Sequence, residues 1–165
     1  MTISPELQRI YGSAPEGEQI FETLELRHPR FSQAHYITNA PLSFEATLET
    51  GQLIAFTPLP FSAKLPGASS GGNQDLVLVI DNVDREIIDE LENASADPTQ
   101  RISVIYRAFA SRDLSAPGSD PIALSVADIS ATASRVEATA SRTDVLNRRF
   151  PSQLYETTFF PGLDR

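Results

Sequence analysis

The chain has 165 residues and a mass of 18.0 kDa, with 13 Lys and Arg against 22 Asp and Glu, a formal charge of -9 and a pI near 4.6. That length suits one domain with a real core, and 41% hydrophobic against 21% charged residues argues against disorder. The acidity disfavours a nucleic-acid-binding surface, which needs clustered Lys and Arg, and the absence of Cys excludes disulfides, thiolate nucleophiles and thiolate metal sites.

Ser4-Pro5-Glu6 opens a short helix, with Ser4 as cap, Pro5 at the first helical position and Glu6 in the first turn. Met1 is followed by Thr-Ile-Ser-Pro-Glu, which has no basic region or long apolar stretch, so no signal peptide is expected. The helix carries Leu7, Ile10 and Tyr11 on a sticky side and ends within Gly12 to Gly17. So short a helix is marginal alone and is expected to dock on the body or on a neighbouring subunit.

Gln19 to Leu26 predicts a strand, and a shorter one is expected at His35 to Thr38 between the turn signals His28-Pro29 and Asn39-Ala40-Pro41. Phe44 to Leu48 and Leu53 to Phe56 read as a hairpin around Gly51. Pro58 and Pro60 cannot both lie in a central strand, so Thr57 to Phe61 is an edge or a crossing between sheets, after which Phe61 to Leu65 resumes a strand. Pro66 to Asn73 is a Gly- and Ser-rich loop without phosphate-binding spacing.

Leu76 to Leu91 reads as the stretch around which the rest is organised. Leu76 to Ile80 is an apolar run expected as a buried strand. After Asp81-Asn82 the spacing turns helical, with Val83, Ile87, Ile88, Leu91 and Ala94 on one side and Asp84, Arg85, Glu86, Asp89, Glu90 and Glu92 on the rest. Asp81 or Asn82 can cap that helix. Arg101 to Ala110 alternates with apolar residues on both sides, as suits a central strand or one facing a partner. Ile122 to Ala131 and Arg135 to Ala140 form a strand pair whose Ser, Thr and Ala content suggests an exposed hairpin or an arm laid on another subunit.

Thr143 to Asn147 can form one capped turn. Then come Arg148-Arg149-Phe150-Pro151 and a Pro-punctuated segment with Tyr155, Phe159 and Phe160. Residues 1–165 are thus expected to form one domain, with 143–165 a Pro- and aromatic-rich C-terminal segment docked on the core or on a neighbour. The predicted fold is mainly β, an antiparallel sandwich or small barrel with one internal helix and short terminal helices.

Few residues suggest chemistry. His28 and His35 have no zinc-type spacing to a further ligand. Asp81, Asn82 and Asp84 resemble a calcium loop only superficially, lacking the Gly and distal Glu, and capping explains them. No Ser stands in a nucleophile elbow. The carboxylates Glu45 with Glu49, and Glu86 with Glu90, read as solvated surface rather than a glycosidic pair. Arg148-Arg149 is a candidate for pairing with an acidic patch on a neighbour, such as that same central helix, or an ordinary exposed pair. No catalytic, metal or cofactor site is expected. No apolar run reaches membrane-spanning length.

Four motifs point to a family. They are Leu24-Glu-Leu-Arg-His-Pro29, Phe56-Thr-Pro-Leu-Pro-Phe61, Ile80-Asp-Asn-Val-Asp-Arg-Glu86, and Asp144-Val-Leu-Asn-Arg-Arg-Phe-Pro151 with Tyr155 and Phe160-Pro-Gly-Leu163. With these the chain resembles a small minor tail protein of long-tailed (siphovirus-like) bacteriophages and prophages, catalogued as a domain of unknown function. The resemblance implies a non-enzymatic structural role near the distal end of the tail, a tail-tube-like β fold, and closure into a hexameric ring. It implies self-association and contact with neighbouring tail proteins, no cofactor, no sequence-specific nucleic-acid binding, no membrane insertion, and a place in the virion tail after folding in the bacterial cytoplasm. In such a ring the hairpin at 122–140 and the two termini are the expected contacts. The residues singled out for assembly are Asp81, Asn82, Asp84, Arg85, Arg148, Arg149, Phe150, Tyr155, Phe159 and Phe160. The alternatives are a monomeric adaptor and a carbohydrate-binding tail-tip domain, the latter with a cleft lined by Tyr36, Tyr106 and Tyr155.

Overall fold

A computed structural model describes residues 3–64, 75–81, 83, 85–95, 100–132 and 135–141. Its elements in chain order are α1 (Pro5–Ser13), β1 (Ile20–Arg27), β2 (His35–Thr38), β3 (Phe44–Thr47), β4 (Leu53–Pro58), β5 (Phe61–Lys64), β6 (Asp75–Asp81), α2 (Arg85–Ser95), β7 (Ser103–Ala110), β8 (Ile122–Ala131) and β9 (Arg135–Ser141). The fold is mainly β: nine strands in one sheet, ordered β3-β4-β2-β1-β7-β8-β9-β6-β5. All pairings are antiparallel except β2 with β4, where Ile37 faces Thr57 and Thr38 faces Pro58. The sheet is sandwich-like and does not close into a barrel, because β3 and β5 stand at opposite ends of the order.

The centre differs from the one expected. β7, not β6, is the middle strand, paired along its full length with β1 from Ile20 opposite Ala110 to Arg27 opposite Ser103. β6 lies next to the edge. Its five apolar residues split between faces, with Leu76, Leu78 and Ile80 buried and Val77 44% exposed. The pair β8–β9 is no projecting arm, since β8 also pairs with β7 and β9 with β6. Its residues alternate between a buried set, Leu124, Val126, Val136, Ala138 and Ala140, and a more exposed one on the opposite face. The proline-rich crossing is real: after Pro58 the chain leaves β2 and reaches β5 at the far end of the sheet.

Each face has its own cover. On one, Leu24, Val104, Tyr106, Leu124, Ala138 and Leu78 pack with Leu7 and Ile10 of α1 and with Ile88, Leu91 and Ala94 of α2. Ser4 caps α1 by accepting the Leu7 N–H at 3.2 Å. The helix docks on the body: Ser4 N–H bonds the Gly118 carbonyl at 2.7 Å, and Gly118 N–H bonds that of Ala108 at 2.8 Å. On the other face the β3–β4 hairpin lies over β1 and β7, where Ala46, Leu48, Phe56 and Phe109 form a second core. Phe44 and Phe56 stack at 5.4 Å, and Phe21 reaches Phe44 at 5.0 Å.

Candidate functional site

The structure places two of the residues singled out from the sequence. Asp81 ends β6, opposite Arg135 of β9, whose Nε lies 3.6 Å from Asp81 Oδ1 and 3.0 Å from Glu137 Oε1. Both Asp81 and Arg135 are largely exposed, so this is a weak surface pair. Arg85 opens α2 and is exposed. Asn82, Asp84, Arg148, Arg149, Phe150, Tyr155, Phe159 and Phe160 lie outside the described residues, as does the capped turn expected at 143–147. Tyr36 and Tyr106 fall on opposite faces: Tyr36 packs edge-on against Phe56 at 5.9 Å, while Tyr106 belongs to the main core.

The fold gathers a charge network that sequence spacing gave no hint of. Arg107, on β7, is 2% exposed beneath the β3–β4 hairpin. Its Nη1 bonds Glu25 Oε2 of β1 at 2.7 Å, and its Nε and Nη2 take Glu49 Oε2 and Oε1 at 2.8 and 2.7 Å. Arg27 Nε meets the other Glu25 oxygen as an ion pair. Burial opposes charge on Arg107, but the hydrogen bonds and charges of Glu49 and Glu25 outweigh it and raise its pKa. The Arg107 hydrogen bonds in turn hold the Glu49 carboxyl below its ordinary range. Four charges balance two against two, and the paired contacts serve as a structural clamp between β1, β7 and the hairpin.

A second polar cluster joins the β1–β2 loop to α2. His35 Nε2 lies 2.6 Å from Glu90 Oε2, and Ser32 N–H donates to Glu90 Oε1 at 3.1 Å. A third centres on Glu22, which accepts the Tyr106 hydroxyl at 2.8 Å and the Asn39 side-chain amide at 2.9 Å. Burial first, and Glu22 second, push the Tyr106 phenol far above its usual range. Glu18 takes Arg9 Nη2 at 2.5 Å and Arg112 Nη1 at 3.2 Å, tying α1 to the loop after β7. Among the described residues no three His, Cys, Asp or Glu side chains form a cluster that could hold a metal. Nor is any described helix long and apolar enough to cross a membrane.

An open, mainly β sheet clamped by internal ion pairs defines the class of protein. Residues 6–155 match the model of a family described as Domain of unknown function (DUF1833), and the chain belongs to that family. No curated protein matches it.

Proposed function

We propose that the chain is a non-enzymatic structural component of a bacteriophage tail, near the distal end, assembling as a ring around the tail channel. What supports this reading is the resemblance, carried by four motifs in order, to small tail proteins of long-tailed phages. Two further features support it. The sheet ends in β5, which pairs with β6 on one side and has no strand partner on its outer edge among the described residues, so a neighbouring copy can extend it there. The polar groups of the site are spent on holding the hairpin and loops in place, which suits a rigid building block.

In the ring, the acidic surface repels passing DNA and avoids trapping it. The partners are other copies of the chain and the tail proteins above and below it. The measurement that tests this is solution mass by light scattering, with negative-stain images of the same sample. Six-fold rings are the expected result. A monomer at high concentration that also fails to co-purify with neighbouring tail proteins overturns the proposal, and a neutral or basic channel in the assembled ring overturns the role given to the acidic surface.

A further inference from the structure

The loop from 28 to 34, between β1 and β2, folds around its own first residue. His28 Nδ1 accepts the Arg30 N–H at 3.2 Å, and the His28 carbonyl accepts the Phe31 N–H at 3.0 Å. An accepting Nδ1 puts the single proton of the neutral ring on Nε2, and that atom is buried with no hydrogen-bond partner among the described residues. Phe31 is buried between the two histidines, its ring 5.6 Å from that of His28 and 5.4 Å from that of His35.

From the other side α2 holds the loop. Glu90 binds Ser32 N–H and His35 Nε2, and Arg30 Nη1 donates to the Asn93 carbonyl at 3.4 Å. Among the described side chains, the titratable and charged groups on the packed elements are Glu22, Glu25 and Arg27 on β1, the last engaged by Glu25, Arg30 on the loop, His35 on β2, and Arg85, Asp89, Glu90 and Glu92 on α2.

We infer that this loop is an acid-opened clasp on α2, and that protonation of His28 is what releases it. With Nε2 already protonated, a second proton must enter at Nδ1. There it faces the Arg30 N–H, donor against donor, and the hydrogen bond that shapes the loop is lost. His35 works in the opposite sense. Its Nε2 points at Glu90, and a positive charge on the ring strengthens that contact. Glu90 persists as the anion that makes this hold: the Ser32 hydrogen bond first, and His35 second, keep its carboxyl below the ordinary range. A depressed carboxyl stabilises above its ordinary value and is lost only as pH falls through the depressed one, so the Glu90 hold outlasts mild acid. Release therefore begins at the His28 end, freeing Phe31 and the Arg30 contact with α2.

The test uses the full chain, labelled with ¹⁵N, and follows both imidazole titrations by NMR from about pH 8 to about pH 4. Amide exchange of Arg30, Phe31 and Ser32, corrected for the intrinsic rate, is measured alongside. It is expected to rise about tenfold as the pH falls across that range, while β1 and β7 stay protected. His28→Asn keeps an acceptor in place of Nδ1 and takes up no proton, so its exchange is expected to stay flat. Wild-type amides equally protected throughout overturn the inference, as does a His28→Asn chain with an undiminished rise. If that variant does not fold, Glu90→Ala decides. It removes the acceptor of the Ser32 N–H and is expected to weaken Ser32 protection already at neutral pH, and unchanged protection overturns the clasp.

Discussion

Arg107 grips Glu49 through two parallel hydrogen bonds, Nε to Oε2 at 2.8 Å and Nη2 to Oε1 at 2.7 Å, across 58 positions of sequence. Arg107 is in the middle strand and Glu49 at the turn of the β3–β4 hairpin, so this fork pins the hairpin's tip to the sheet. A hairpin held by aromatic packing alone can slide. The bidentate geometry admits one register, because a shifted hairpin leaves a buried guanidinium half unpaired.

Arg107→Ala is expected to cost about 3–5 kcal/mol, since it leaves Glu25 buried without its main counter-charge. Urea unfolding measures it. Replacing both partners with apolar residues, Arg107→Met with Glu25→Leu, is expected to recover most of the loss. A single variant within about 1 kcal/mol of wild type would show that the network carries little of the hairpin's attachment.

Acid should loosen the same joint. The Glu49 carboxyl is depressed chiefly by its Arg107 hydrogen bonds. Its stabilisation is thus present above the ordinary carboxylate pKa of 4.5 and disappears as pH falls through the depressed value. Glu49→Gln should lower the melting temperature near neutrality and flatten the acid limb of a melting-temperature profile. The side chain is 39% exposed, so solvent screening keeps the effect modest. An acid limb identical in wild type and variant refutes the assignment.

What could be read from the sequence was local. The alternation of 101–110 gave β7, the strand at 35–38 was placed to the residue, and Pro58 with Pro60 gave the crossing. Misreadings came where a pattern has two physical causes. Five apolar residues at 76–80 look alike whether one face or both are covered, and only the paired strands show that Val77 points outward. Ser, Thr and Ala at 122–140 suit an exposed arm as well as an interior ladder. The clamp and the clasp were illegible because their partners are far apart: Glu25 lies 82 positions from Arg107, and His35 lies 55 from Glu90. The one available signal was Arg107 as the lone charge in a strand whose other residues are apolar apart from Ser103 and Tyr106, since a buried charge demands a partner.

The seat of α1 gives a third prediction. A Cβ at Gly118 would stand 2.7 Å from Leu7 Cδ1 and 3.3 Å from Ser4 Oγ, the two residues that cap and anchor the helix. Gly118→Ala should therefore push α1 off the sheet, at about 1–3 kcal/mol. Leu7 is fully buried, so its side chain has little room to step aside. Leu7→Ala should cost less in the Gly118→Ala background than in wild type, a coupling that a double-mutant cycle reads directly. Strict additivity would mean that the clash is absorbed elsewhere.

The last prediction separates the hairpin's two attachments. Phe56 is 1% exposed and touches Phe44, Tyr36 and Phe109, so it is the aromatic centre under the hairpin. Phe56→Ala should cost about 3–5 kcal/mol through lost burial and the cavity it leaves. Leu53, on the same strand but 61% exposed, is the control, and Leu53→Ser should stay within about 0.5 kcal/mol of wild type. Because Phe56 and Arg107 fasten the same hairpin, either loss frees it and makes the second cheaper. The double variant should then unfold with less than the summed cost, the two single losses overlapping by at least about 1 kcal/mol. Additive losses would show that the ring cluster and the ion pairs hold the hairpin independently.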